Sequence, residues 1–199
     1  AAMVHVAKCE DLQVLNLGAT NVGDEGLAAL KDLSLERLVL ANAPITNAGL
    51  ADIGKMHALV ELDISSTSVT DDAVAALDEL ANLKSLNLAR TPITGEAIGA
   101  LAPLENLESL DLSETSVGAK EGALAKLETL PKLRRVDLSL TLINDAQLKQ
   151  LAACQNIEDL DLSGTVITDA GVEHLHGMRQ LKRLGLFGTA VSDEAVTKL

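Results

Sequence analysis

The chain has 199 residues, a formal net charge of −13, 47% hydrophobic residues and one aromatic, Phe187. Enough apolar material is present for a core along the whole length, and that core must be built from Leu, Ile, Val and Ala. The acidic balance argues against nucleic acid, whose phosphates need clusters of Lys and Arg, and it favours a neutral or basic protein partner.

Residues 1–11 read as the helical tail of an earlier repeat. From there one stretch of text recurs eight times, starting at Leu12, Leu35, Leu59, Leu83, Leu107, Leu133, Ile157 and Leu181, with spacings of 23, 24, 24, 24, 26, 24 and 24 residues. Its form approximates L-x-x-L-x-L-x-x-T-x-[VI]-T-D-x-[GA]-[LV]-x-x-L-x-x-L. In the repeat beginning at Leu59, Leu62 and Ile64 alternate as one face of a short strand. Val69 follows a turn, and Val74, Leu77 and Leu80 recur every three residues as a helical stripe. All seven are expected to point inward, as are Ile157, Leu160, Leu162, Ile167, Val172, Leu175 and Met178 in the seventh repeat. No unit of this size buries its own apolar face, so the repeats must stack. The result is a parallel sheet on the inner face and helices on the outer face.

No linker interrupts the text, so 1–199 is expected to be one domain. The last repeat, 181–199, is incomplete and stops inside its helix at Leu199. Neither end supplies a clear polar cap, and the expectation is a piece of a longer chain whose uncapped ends could self-associate.

Thr70, Thr94, Thr168 and Ser192 precede the helical stripe and are expected to cap it, with Asp71, Asp72, Glu96, Asp169, Asp193 and Glu194 in the first turn near the positive end of the helix dipole. Thr20, Thr67, Thr91, Thr115, Thr141, Thr165 and Thr189 form a second column, whose hydroxyls are expected to bond the backbone of a neighbouring repeat. Ala43 breaks that column, and Asn42 is placed to compensate. The fifth repeat carries two extra residues between Val117 and Leu133. They read either as a longer helix or turn around Gly118–Gly122, or as a bump that touches a partner.

The residues flanking the inward leucines face out of the sheet in three columns. The first is Val14, Arg37, Glu61, Ser85, Ser109, Arg135, Asp159 and Arg183, with three cations against two acids. The second is Asn16, Val39, Asp63, Asn87, Asp111, Asp137, Asp161 and Gly185, with four carboxylates. The third is Gly18, Ala41, Ser65, Ala89, Ser113, Ser139, Ser163 and Phe187. Neighbours in a column lie about 4.8 Å apart, so the groove spans roughly 34 Å. Arg37 beside Glu61, and Arg135, Asp159 and Arg183 in series, can form a self-neutralising ladder. Asp111, Asp137 and Asp161 repel one another, and three offsets are open: Arg135 and Arg183 nearby together with the L-D-L-S habit, a Lys or Arg from a partner, or a cation. Phe187, on the strand of Arg183, is either an interface anchor or the packing surface for a further repeat.

Cys9 and Cys154 hold equivalent repeat positions six repeats apart, so they cannot pair and both are expected to be buried thiols. His5, His57, His174 and His176 are scattered, with no zinc spacing, phosphate loop or nucleophile elbow. The abundant Ser and Asp are periodic, whereas catalytic residues are usually single. No enzyme activity, cofactor, metal or small-molecule substrate is therefore expected. Apolar runs of a few residues are far short of a membrane span, and the N-terminus lacks a secretory signal, which makes a cytoplasmic location the expectation.

The whole chain resembles the leucine-rich-repeat family. Ile167-Thr168-Asp169-Ala170-Gly171-Val172 is similar to the "ITDAGL" form found in F-box substrate receptors and in many bacterial and protist repeat proteins, and Cys9 and Cys154 are similar to a cysteine-containing subtype. Thr in place of Cys or Asn after the strand, and a period of 24, depart from that subtype. The resemblance implies an α/β solenoid, a curved horseshoe with the sheet on its concave face, and protein binding through that face. Ubiquitin-ligase work would also need an F-box, which this chain lacks. The residues expected to carry binding are Arg37, Glu61, Asp63, Asp111, Arg135, Asp137, Asp159, Asp161, Arg183 and Phe187. The alternative is a structural spacer or self-assembly segment within a larger protein.

Overall fold

The L-x-L step of each repeat makes a three-residue strand. In the computed structural model, which describes residues 2–198, these are β1 (Val14–Asn16), β2 (Arg37–Val39), β3 (Glu61–Asp63), β4 (Ser85–Asn87), β5 (Ser109–Asp111), β6 (Arg135–Asp137), β7 (Asp159–Asp161) and β8 (Arg183–Gly185). They pair in parallel and in sequence order as one eight-stranded sheet. Each residue sits beside its equivalent one repeat on, so the middle residues, leucine except for Val136, form one inward column from Leu15 to Leu184. A side-chain period of two makes any other register turn the leucines to water, which is why this one holds.

Behind the sheet run α1 (Met3–Val6), α2 (Asp24–Ala28), α3 (Asn47–Ile53), α4 (Asp71–Val74), α5 (Gly95–Ala100), α6 (Asp145–Leu151), α7 (Asp169–Val172) and α8 (Asp193–Val196). Helices this short are marginal alone and persist because consecutive ones pack together. One continuous apolar cluster runs from Leu17 to Met178 and contains all the stripe residues expected for the third repeat. Leu199, at the end of the incomplete last helix expected above, lies outside the described residues.

The fifth repeat departs from the pattern. Its outer segment holds 3-10 turns at Val117–Ala119 and Leu124–Thr129 in place of an α-helix, with Gly122 at φ +82° between them. Glycines at 118 and 122 weaken helix formation. The buried Gln147 of the next repeat closes the gap, accepting from the Asn144 amide at 3.0 Å and donating to the Gly118 carbonyl at 2.8 Å.

The polar columns find partners that the text alone assigns differently. Each threonine of the second column donates back to its own repeat, for example Thr141 Oγ1 to the Leu138 carbonyl at 2.6 Å, and not to a neighbour. Three residues is the reach of a side-chain turn, and the neighbouring strand's carbonyls are already taken by amides. Asn42 makes no hydroxyl-like bond either. It stands in a column of left-handed residues, Ala19, Asn42, Ser66, Arg90, Glu114, Leu140, Gly164 and Gly188, where the chain leaves the sheet. There each amide from Ala19 to Gly164 donates to the next repeat, as Leu140 does to the Ser163 carbonyl at 2.7 Å.

Thr94, Thr168 and Ser192 cap their helices, but the Thr70 hydroxyl accepts from Asn47 instead of from its own helix. The first-turn acids reach forward: Asp24, Asp71, Asp145 and Asp169 each accept both the amide and the hydroxyl of the next repeat's Thr46, Thr94, Thr168 or Ser192. These two donors from Ser192 hold the Asp169 carboxyl below the usual carboxylate range. Its contribution to stability is therefore present at neutral pH and is lost as pH falls through that depressed value.

Cys154 is buried, and Cys9 is exposed because no repeat covers the equivalent site at the first turn. Burial first, and Glu128 second, push the Cys154 thiol up to about 12. With Ellman's reagent at neutral pH the folded protein is expected to give one fast thiol, Cys9, and to release the second only on unfolding. Two equally fast thiols would place Cys154 in solvent.

Candidate recognition face

In the first column the Arg37 Nε lies 3.2 Å from a Glu61 oxygen. Arg183 grips Asp159 through Nη2 at 2.7 Å and Nε at 3.1 Å. Arg135 stands between Ser109 and Asp159 on the neighbouring strands, yet it has no carboxylate within 4.0 Å among the described residues. The expected ladder is thus half made, because Asp159 is committed to one arginine and leaves the other exposed. One residue earlier, Arg134 at 2.6 Å and Lys182 at 2.8 Å both pair with Glu158. The Lys182 hydrogen bond is the main reason that this carboxyl titrates below its ordinary range. Together with Glu108 these side chains line a shallow cleft at the starts of β6 to β8.

The second column spends one oxygen of each carboxylate within its own repeat. The Oδ1 atoms of Asp63, Asp111, Asp137 and Asp161 accept the amides of Ser65, Ser113, Ser139 and Ser163 at 2.8–3.0 Å. The hydroxyls of Ser65, Ser113 and Ser139 donate to the same oxygens at 2.6–2.7 Å. Asn16 and Asn87 make the same turn with Gly18 and Ala89. This is an Asx turn: the L-D-L-S habit supplies local donors to each carboxylate, and neither Arg135 nor Arg183 contacts them. The second oxygen of each carboxylate is left for solvent or a partner.

Burial nonetheless raises the Asp111 carboxyl above its usual value, against the two Ser113 donors, with Asp137 and Asp63 adding to the rise. Asp111→Asn keeps the acceptor, as Asn87 shows, and removes a like charge. At neutral pH it is expected to stabilise by about 0.5 kcal/mol, a melting rise of about 1–2 °C. The sign follows from a raised folded value: ionisation disfavours the native state above it, and the difference from wild type should vanish as pH falls below the carboxylate range. A lower melting temperature at pH 7 would mean that the charge itself supports the turn.

The third column is mostly spent, since three of its serines turn back to the aspartates and Ala89 is buried. Phe187 lies two residues beyond the end of β8, and its side chain is 88% exposed. After β6 and β7 stand three residues that the sequence reading passed over, Leu140, Leu142 and Val166, each more than half exposed. The signal was present: Leu142 and Val166 stand where earlier repeats carry Asn21, Pro44, Ser68, Pro92 and Ser116. In the left-handed column Arg90 Nε bonds Glu114 at 2.7 Å, which holds that guanidinium above its ordinary value. Among the described residues no group of three His, Cys, Asp or Glu side chains is placed to hold a metal ion, and no helix is long and apolar enough to cross a membrane.

Three segments, 8–31, 79–102 and 153–175, match the family described as Leucine Rich repeat. A search of the curated proteins finds no match. Among solved structures, internalin C2 of Listeria monocytogenes is 28% identical with a TM-score of 0.67, over 87% of this chain and 80% of that one. The internalin inlF of the same organism is 20% identical with a TM-score of 0.64, over 99% and 71%. The plant peptide hormone receptor RGFR1, in complex with RGF2, is 16% identical with a TM-score of 0.56; 94% of this chain matches 34% of that one.

Proposed function

From a leucine-rich-repeat solenoid with an open eight-stranded sheet, we propose a protein-recognition module that binds its partner on that sheet face. The observation that carries the reading is the state of the outward columns between β5 and β8. Arg135 is exposed without a carboxylate, while Asp111, Asp137 and Asp161 each hold one oxygen in a turn and offer the other. A rigid sheet presenting unspent charge is pre-organised for a partner, because little conformational entropy is lost on binding. The plant receptor of the same fold, in complex with RGF2, supports this by analogy of fold alone.

Affinity capture from a lysate of the source cell, with the wild type and the Arg135→Glu, Asp137→Lys double variant side by side, tests it. Circular dichroism would first verify that the variant is folded. A partner held by the wild type and lost by the variant is expected; the same partners on both would sink the sheet-face assignment.

A second reading, self-assembly, draws on the ends of the stack. Leu12, Leu15, Leu181, Leu184 and Leu186 are only partly buried there, and a second copy could cover them. Sedimentation that shows concentration-dependent association, unchanged by the charge reversals, would support it.

A further inference from the structure

Along β6 and β7 the exposed chemistry falls into three successive bands. Arg135 comes first, the outer oxygens of Asp137 and Asp161 second, and an apolar edge of Leu140, Leu142, Val166 and Phe187 third. Those four account for most of the large apolar side chains exposed among the described residues, and they are gathered at one end of the sheet. Leu140 leans across Gly164, where a Cβ would lie 2.6 Å from its Cδ2, and Gly164 in turn abuts Gly188. Leu140 thus lies over bare backbone, and its exposed side chain extends the apolar edge toward β7. Exposed apolar clusters rimmed by polar groups mark interaction sites.

Outward residues of one strand are about 6.6 Å apart, the same step as alternate residues of any extended peptide. We propose that the β6–β7 track holds an extended polypeptide segment of the partner whose alternate side chains are acidic, basic and bulky apolar. The acid meets Arg135, the base sits between Asp137 and Asp161, and the apolar side chain packs on the exposed Leu140 and Val166. The inference rests on the protein-recognition reading and deepens it. Charge complementarity fixes the order: the base must lie between the acid and the apolar residue, since the opposite order would face Arg135 with a cation and the aspartates with an anion. The strong negative charge of the rest of the chain favours the base by steering, whereas the acid depends on Arg135 alone.

The test uses labelled peptides containing Glu-Thr-Lys-Thr-Leu, its reversed sequence, and the charge-swapped Lys-Thr-Glu-Thr-Leu, with binding read by fluorescence anisotropy. At least one peptide with the central base is expected to bind ten-fold or more tighter than the swapped one. The affinity of that peptide should fall ten-fold in a Leu140→Ser, Val166→Ser variant, whose changed side chains are exposed and should leave folding intact. Equal affinities, or none stronger than about 1 mM, would overturn the proposal. If the peptides fail while the Arg135→Glu, Asp137→Lys variant still loses its captured protein, sheet-face recognition survives and this segment chemistry does not. If both fail, the recognition reading itself falls. A dimer that Leu140→Ser, Val166→Ser dissolves would assign the edge to a second copy and overturn the inference.

Discussion

Gly54→Ala is expected to destabilise this protein by about 3 kcal/mol, a fall in melting temperature of about 6–12 °C. Gly54 has an ordinary helical φ of −57°, so conformational freedom is not the reason. The reason is close approach: a Cβ there would stand 1.9 Å from the carbonyl oxygen of Ala76 and 3.0 Å from its carbon, in the outer turn of the next repeat. Backbone cannot swing aside as a side chain can, so two repeats would have to part by about 1 Å over a core packed to interior density. Gly99→Ala supplies the control. Its Cβ would meet only the flexible end of Lys126, and in the interior of α5 alanine is the better helix former by about 0.5–1 kcal/mol. Thermal melts of both should move in opposite directions. A Gly54→Ala protein that melts like wild type would mean that repeats two and three stand further apart than this.

Leu86→Ala is expected to cost about 3–5 kcal/mol, and the same change at Leu15 less than half of that. The two leucines hold the same place in their repeats, the middle of β4 and of β1. Leu86 is 1% exposed, covered by a repeat on either side, whereas Leu15 is only partly buried with a neighbour on one side. In a stack where each repeat touches only its neighbours, a central cavity weakens two interfaces and an end cavity one. Urea titrations give the ratio. Leu86→Ala is also the change that should lower the m-value, if the weakened centre lets the two halves unfold separately. Equal losses at both positions would contradict nearest-neighbour stacking.

Most of the architecture follows from periodicity. The inward positions from Leu59 to Leu80, the strand register, the count of repeats and the three outward columns are all consequences of alternating Leu at a 24-residue spacing. A periodic text can be buried in only one way without turning half its leucines to water. The outward sheet columns were legible for the same reason, because a column is a repeat position, whereas the exposed Leu140, Leu142 and Val166 lie past the strand and were not. Even the Asx turns under Asp63, Asp111, Asp137 and Asp161 lay in a recurring D-[LI]-S.

What the text left open were choices between partners of equal chemistry. Asp159 could pair with Arg135 or Arg183 and takes the second; the threonine hydroxyls could reach a neighbour or their own carbonyl and take their own. Asp71 could have served its own helix and instead ties down Thr94 of the next. Such choices depend on rotamers and on the distance and angle between repeats, which no single repeat specifies. Cys9 and Cys154 make the point from the other side: identical in repeat position, one is exposed and the other buried, because burial in a solenoid belongs to the neighbour and not to the residue. Periodicity thus dictates that this chain stacks and which strand positions face outward. The packing of each repeat on the next settles which of those charges are spent, and so leaves Arg135 and the apolar edge from Leu140 to Phe187 available at one end of the sheet.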